Sequence, residues 1–378
     1  MVREWLKRSK NCPLTLSLEM IEDLDSEPEE WEATISATNK ILRTVVKHLH
    51  RWKTVFFSFS NFPIQSDSPL LHLPPSPTAA PVLERVDVCE SKSFTTVEDS
   101  KKFWQAIASY PSVRHVMWID DQTVESSKSV LPNLLPPSSP ESSWTNLTRL
   151  ATRFIVDESL MEFLSGCKGL EVLHVTGLEQ SDSTSTLLPR PRVCLPSLKK
   201  LEFGAGACRG SVSVALGTLL DTLDLPMLET LELEEWACPK AWMELIQRSE
   251  SRVKRISVAV DGNALLSLSL DDNTDGSEGD VDVQSILVSL AMRHLEELGV
   301  SLFCPGATDR DSLFLRGVSL KQGLGALPSP SMRRLRLEID DFQLEGEVLE
   351  GMVRSCVDSE LEDTRCAVSV DVVRRRPM

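Results

Sequence analysis

The sequence predicts an α/β chain built as a solenoid, with short parallel strands stacked in chain order and helices and loops running between them. Three observations lead there. One phrase, x-L-x-x-L-x-L/V, returns along most of the 378 residues. The last apolar positions of each copy alternate with polar ones, which is the period-two pattern of a strand with one buried face. Between copies lie segments whose apolar residues fall at helical spacing.

The copies are APVLERVDV (80–88), YPSVRHVMW (110–118), WTNLTRLAT (144–152), CKGLEVLHV (167–175), LPSLKKLEF (195–203), LPMLETLEL (225–233), ESRVKRISV (250–258), MRHLEELGV (292–300) and SPSMRRLRL (329–337). Most follow a proline or a small polar cluster. The first apolar residues of successive copies lie between 23 residues (Leu147 to Leu170) and 42 residues (Val253 to Leu295) apart. A leucine-rich repeat has a period of about 20–29 residues, and longer spacings lengthen the helices or loops on the outer side. A single strand of this kind cannot bury its face alone, but stacked between parallel neighbours it adds to a continuous core. The expected fold is an irregular leucine-rich-repeat horseshoe, with strands on the concave face and helices and loops on the convex face. Residues 1–50 are expected to form a capping strand (PLTLSL, 13–18) and helix. Residues 51–378 are expected to form one continuous solenoid, opened by the looser copy HRWKTVFFSF (50–59).

Helices are expected in DSKKFWQAIASY (99–110), DESLMEFLSGC (157–167), CPKAWMELIQRS (238–249), DVQSILVSLAMR (282–293) and EGEVLEGMVRSC (345–356), several with an Asp or Ser near the start able to cap. Ser- and Pro-rich stretches at 63–81, 121–143 and 179–193 are expected as mobile surface loops. The acidic stretch 271–282 has the same expectation. It sets Asp271, Asn273, Asp275 and Gly276 at calcium-loop spacing, but Glu278 occupies the usual apolar position and Asp282 replaces the bidentate Glu. A solvated insertion is therefore expected, and no metal.

Composition narrows the function. A formal charge of −16 repels phosphate backbones, so nucleic acid is not expected as a partner. The nine cysteines are scattered without a C-x-x-C pair, the usage of reduced intracellular thiols, and a cytoplasmic or nuclear location follows. The basic-then-apolar N-terminus is cut short by Glu19, Glu22 and Asp23, unlike a signal peptide, and no stretch approaches the roughly 20 apolar residues of a membrane span. The segment Arg374 to Pro377 is expected as a solvated tail.

Counting from the first apolar residue of a copy, the fourth and sixth positions are expected in the core and the third, fifth and seventh on the concave face. This places Arg85, Asp87, His115, Met117, Arg149 and Arg153 there, followed by His174 and Thr176. Later copies contribute Lys200, Glu202, Thr230, Glu232, Glu234 and Arg255, then Glu297, Arg334, Arg336 and Glu338. The mixed charge suits a protein or peptide target better than a polyanion. No nucleophile, base and acid stand together in the sequence, and neither an enzyme nor a cofactor is expected. One stretch has a second reading. Glu202-Phe203-Gly204-Ala205-Gly206 resembles the first strand and loop of an S-adenosylmethionine-dependent methyltransferase, with a helix possible at 211–222 and Glu232 or Glu234 on a second strand for ribose hydroxyls. Against it, Arg209 stands where the third glycine belongs and Gly210 comes one place late. The repeat on both sides is also foreign to a nucleotide-binding domain.

The openings EWLKRSKNCPLTLSL (4–18) and HLHRWKTVFFSF (48–59), with PVLERVDV, FLSGCKGLEVLHV and LPSLKKLEF, resemble the C-terminal part of the F-box/leucine-rich-repeat proteins of mushroom-forming fungi. The resemblance covers nearly the whole chain and rests mostly on packing residues. It implies a monomeric target-recruiting subunit of a Skp–cullin–F-box ubiquitin ligase, with the solenoid holding the target. No F-box precedes residue 4, so the resemblance carries over as target binding, with the ligase adaptor a partner only if an F-box lies upstream.

Overall fold

One tight turn recurs before six successive strands. In the computed structural model, Leu83, Val113, Leu147, Leu170, Leu198 and Leu228 each donate their backbone N–H to the carbonyl three residues back, on Ala80, Tyr110, Trp144, Cys167, Leu195 and Leu225. Both ends of every such turn are buried. Pro81, Pro111, Pro196 and Pro226 fill the second position, where a proline's fixed φ suits a type I turn. The sequence phrase thus begins three residues earlier than its leucines suggest, with an apolar anchor before each proline or polar pair.

The structure describes residues 2–21, 28–60, 64, 67–91, 96–120, 143–180, 192–204, 212–233, 239–248, 253–261, 295–303, 334–340 and 369–373. The chain divides into two compact units, Met1–Leu198 and Lys199–Met378. In the first, β1 (Leu14–Ile21), β2 (Trp52–Ser60), β3 (Arg85–Ser91), β4 (His115–Asp120), β5 (Arg149–Val156) and β6 (Val172–Gln180) pair in parallel in chain order. In the second, β7 (Lys200–Phe203), β8 (Thr230–Leu233), β9 (Arg255–Asp261), β10 (Glu297–Phe303), β11 (Arg334–Asp340) and β12 (Ser369–Val373) do the same. The expected α/β class and the expected pairing of LPSLKKLEF with LPMLETLEL are both found, with Leu201 opposite Leu231. β12 was not expected, because SVDVV carries no copy of the phrase.

Alternation sets what each sheet buries. In the first unit Val55, Val86, Val116, Leu150 and Leu173 form one buried row, and Phe57, Val88, Trp118, Thr152 and Val175 the next. In the second, Leu201, Leu231, Ile256 and Leu298 align, beside Phe203, Leu233 and Val258. Each buried aliphatic or aromatic side chain contributes roughly 1.5–3 kcal/mol.

Helices cover these apolar faces: α1 (Val2–Arg8), α2 (Pro28–Val46), α3 (Val97–Ala108) and α4 (Glu158–Gly166) in the first unit, α5 (Val212–Thr222) and α6 (Pro239–Arg248) in the second. Trp104 of α3 lies 5.3 Å from Trp118 of β4 between ring centroids, and Trp242 of α6 packs edge-on against Phe203 of β7 at 5.1 Å. Asp157 caps α4 as expected, accepting from the Leu160 N–H at 2.9 Å. α3 starts two residues before Asp99 because Thr96 is its cap, and Asp99 closes a reciprocal pair with the Thr96 hydroxyl.

The helix C-termini are held by side chains from the next element. Buried Arg51 donates to the carbonyls of Leu6 and Cys12 and to the Ser9 hydroxyl, satisfying the end of α1. The neighbouring Trp52 indole donates to the Val45 carbonyl near the end of α2 at 3.0 Å. Arg248 does the same for α5 through Leu220 and Leu223. A guanidinium there also complements the negative end of the helix dipole.

One expectation is corrected. The segment 63–81 is not a mobile loop in its described part: Leu70, Leu71 and Leu73 are buried on a 3₁₀ turn at Pro69–His72, and the Tyr110 hydroxyl donates to the Pro74 carbonyl. Leu-Leu-His-Leu supplies anchors that its proline-rich surroundings obscured. The expected helices at 282–293 and 345–356 lie outside the described residues. So do 121–142, 181–191, 271–282 and the basic tail.

Candidate interaction surface

The face of each sheet away from the helices carries the third, fifth and seventh residues of the phrase. Strand starts are tied together by a repeated bifurcated bond, in which one carbonyl accepts from two successive N–H groups of the next strand. The Glu84 carbonyl accepts from Arg114 and His115, Arg114 from Thr148 and Arg149, Lys199 from Glu229 and Thr230, and Lys254 from Glu296 and Glu297. This fixes the register, and with it the rows of side chains on the open face.

In the first unit the third-position row runs Thr54, Arg85, His115, Arg149, Val172, and the fifth-position row runs Phe56, Asp87, Met117, Ala151, His174. Arg85, His115 and Arg149 are therefore neighbours on adjacent strands, about 4.8 Å apart along the sheet. Asp87 corrects the expectation of a solvated face residue, since its side chain is only 5% exposed. Arg85 Nε donates to its Oδ2 at 2.6 Å, while Oδ1 is buried without a hydrogen-bond partner among the described residues, 3.6 Å from His115 Nε2. His115 is half-buried, and burial first, then the cations Arg85 and Arg149, push its pKa below the ordinary value against the opposing pull of Asp87. Its imidazole is neutral at pH 7. Met117 and His174 are half-buried, and Arg149 is exposed and makes no ion pair among the described residues.

Arg153 is held apart from that row. The β5–β6 register shifts after Thr152, so Thr176 is an extra residue on β6 and Arg153 stands opposite Gly177. A Cβ on Gly177 would come within 2.9 Å of Arg153 Cγ, so the glycine lets the arginine stem lie across β6, where its guanidinium pairs with Glu179. The expected loop at 179–193 thus loses its first residues to β6.

In the second unit the third-position row is Lys200, Thr230, Arg255, Glu297, Arg334, and the next is Glu202, Glu232, Ser257, Gly299, Arg336. Lys200 bridges Glu202 on its own strand and Glu232 on the next, the latter at 2.8 Å. Burial disfavours the charged lysine, but the two carboxylate bonds prevail and raise its pKa. Arg334 pairs with Glu297 at 3.6 Å, and Arg255 is exposed. Thr230 is buried, another correction to the solvated reading, because its short side chain sits between larger neighbours. Arg336 and Glu338 hold backbone places opposite Gly299 and Ser301. Glu234 lies outside the described residues.

The sequence reading missed Phe56, Cys89 and Ile119 on the open face of the first unit, the first because HRWKTVFFSF fits the phrase loosely. The alternation Val55, Phe57, Phe59 was the signal that could have found it.

Among the described residues no group of three or more His, Cys, Asp and Glu side chains could hold a metal, and no helix is long and apolar enough to cross a membrane. Cys167 is buried in a turn and its thiol is pushed up to about 12 by burial, so it stays protonated. For the methyltransferase-like reading, Gly204 is buried at the end of β7 and α5 starts at Val212, while Gly206 and Gly210 lie outside the described residues. The chain matches no protein-family model and no curated protein.

Proposed function

We propose that this chain is an intracellular protein-interaction scaffold, a monomeric leucine-rich-repeat solenoid that serves as the target-recognition part of an F-box-type ubiquitin ligase. The observation that carries the scaffold reading is reiteration. The same turn, the same bifurcated strand link and the same two buried rows recur strand after strand, while the open face varies residue by residue. Invariant packing with a variable face is how a solenoid presents a binding surface. The ligase assignment rests on the resemblance of the chain to that family, and the location, cytoplasmic or nuclear, rests on its scattered cysteines, which include no C-x-x-C pair.

The test is partner recovery with face variants. A target recovered with the natural chain should be lost with Arg149→Glu combined with Glu232→Lys, at unchanged melting temperature. Purified ligase adaptor should not bind the isolated 378-residue chain, and tight, saturable binding would assign adaptor recognition to residues 1–50. The competing enzyme reading is addressed by titration with S-adenosylmethionine and with nicotinamide dinucleotides at millimolar concentration. A rise in melting temperature of several degrees, lost in Gly206→Val, would overturn the scaffold reading in favour of a cofactor loop at 204–210.

A further inference from the structure

The open face of the first unit is unlike an evenly solvated sheet. Its cations are unequally occupied: Arg85 is bound to Asp87 and Arg153 to Glu179, but Arg149 is exposed and has no carboxylate among the described residues. Beside Arg149 in register is His115, and beneath His115 is a buried carboxylate oxygen with no hydrogen-bond partner among the described residues. In the adjoining row Met117 and Ala151 are apolar neighbours next to these cations, with Asp87 between Met117 and Phe56.

We propose that this face is the docking surface for a protein segment that presents one Asp or Glu side chain to Arg149 and His115, with an apolar neighbour laid on Met117. The proposal rests on the scaffold reading above and names the partner chemistry. Charge complementarity selects the occupant. With Arg85 and Arg153 already compensated, the face has one free permanent cation among the described residues, which matches one carboxylate; a nucleic acid would need several such contacts and would meet a chain of net charge −16.

His115 couples docking to protonation. The charged groups facing it are Arg85 and Asp87 from β3 and Arg149 from β5. A ligand carboxylate at Arg149 offsets the repulsion that Arg85 and Arg149 exert on an imidazolium. His115 then takes a proton from solvent and can donate through Nε2 to the unpartnered Asp87 Oδ1. The complex therefore holds more proton than the free protein near the ordinary histidine range, and affinity rises as pH falls through it, while the ligand carboxylate stays ionised above about pH 5.

The experiment is selection of a displayed random-peptide library on the full chain, followed by binding measurements with the best synthetic peptide. The expected result is enrichment of Asp or Glu at one fixed position beside an apolar residue. Changing that acid to its amide, or Arg149→Glu in the protein, should weaken binding by about tenfold or more, with the two changes far from additive. Affinity should rise from pH 8 to pH 6, and His115→Gln should flatten that rise. Arg43→Glu, at an exposed position of α2, should leave binding unchanged, and circular dichroism should report the same fold for all variants. Enriched peptides without an acidic position, or binding insensitive to Arg149→Glu, would overturn the proposal. If binding were instead lost only with Glu232→Lys, the scaffold reading would stand and this placement would fall. If no peptide were enriched on any face, both would fall.

Discussion

The two units share a backbone and differ in what they do with charge. Both stack parallel strands and bury the fourth and sixth residues of the phrase, and the turn that recurs in the first unit returns in the second at Leu225 to Leu228. On the open face they part. The first unit sinks a carboxylate, Asp87, under Arg85 and His115 and leaves Arg149 without an ion-pair partner among the described residues, whereas the second lays its charges out as partly solvated pairs, Lys200 with Glu202 and Glu232, and Arg334 with Glu297. The lesson is a division of labour along each strand: one side chain parity is committed to the fold and the other is free to carry chemistry.

If that division holds, core substitutions at matched positions should cost the same in either unit. Leu231→Asp in the second and Val86→Asp in the first each put a carboxylate into a buried row with no partner, and each should cost about 4 kcal/mol or more. Chemical denaturation is the measurement. A mild effect in one unit only would mean that its helices do not seal the sheet.

The open face offers a matched pair of glycines for a finer comparison. At Gly177 an added Cβ meets the aliphatic stem of Arg153, and at Gly299 it meets the Ser257 hydroxyl at 3.0 Å. Gly177→Ala must move Arg153 off Glu179 and should cost roughly 1–2 kcal/mol. Gly299→Ala needs only a hydroxyl rotation and should cost about half as much. Equal costs would show that the Arg153–Glu179 pair contributes nothing.

What the sequence could announce follows the same division. Strands were legible because leucines at fixed spacing report burial directly. The order of the strands was legible because each carries the same phrase. The turns were half legible: the prolines and polar pairs were seen, but the anchors before them, Tyr110, Trp144 and Cys167 among others, differ in type and share only burial. The β5–β6 shift was half legible, since alternation from Val172 would put Leu178 outward and Glu179 in the core, a break in parity at Gly177 that only the register with Arg153 explains. Asp87 was hidden. Alternation assigns it to the open face, where it is indeed directed, but only the register with His115 and the reach of Arg85 reveal that the open face can bury a side chain too. Nothing in the sequence marks Arg51 and Arg248 as helix-end partners, because the helix end that needs a partner cannot be located from the arginine itself.

The buried group in the first unit should announce itself by titration. His115 can be followed by NMR: Asp87→Asn should lower its pKa further, and Arg85→Met should raise it, because the two neighbours act with opposite sign. The same shift links to stability. A histidine whose folded pKa lies below its unfolded value leaves the unfolded state with more protons, so its contribution is present above about pH 6.5 and is lost as pH falls toward the folded value. The melting temperature should accordingly fall less steeply between pH 6.5 and pH 5 in His115→Gln than in the natural protein.

The smallest effect is expected where the second unit has the most ion pairs. Glu232 is 42% exposed on its side chain and accepts from Lys200, which also holds Glu202. Removing Glu232 leaves Lys200 with a carboxylate on its own strand, so no cation is stranded, and solvent screens what remains. Glu232→Gln should cost about 0.5 kcal/mol, and a double-mutant cycle with Lys200→Met should return a coupling of similar size. The coupling should shrink as salt is raised from about 0.01 M to 1 M, where the screening length falls from roughly 30 Å to 3 Å. A coupling that stayed above about 2 kcal/mol at high salt would mean that the Lys200 cluster is desolvated. The second unit would then be using its open face to hold itself together, and the contrast with Asp87 and His115 would be one of degree.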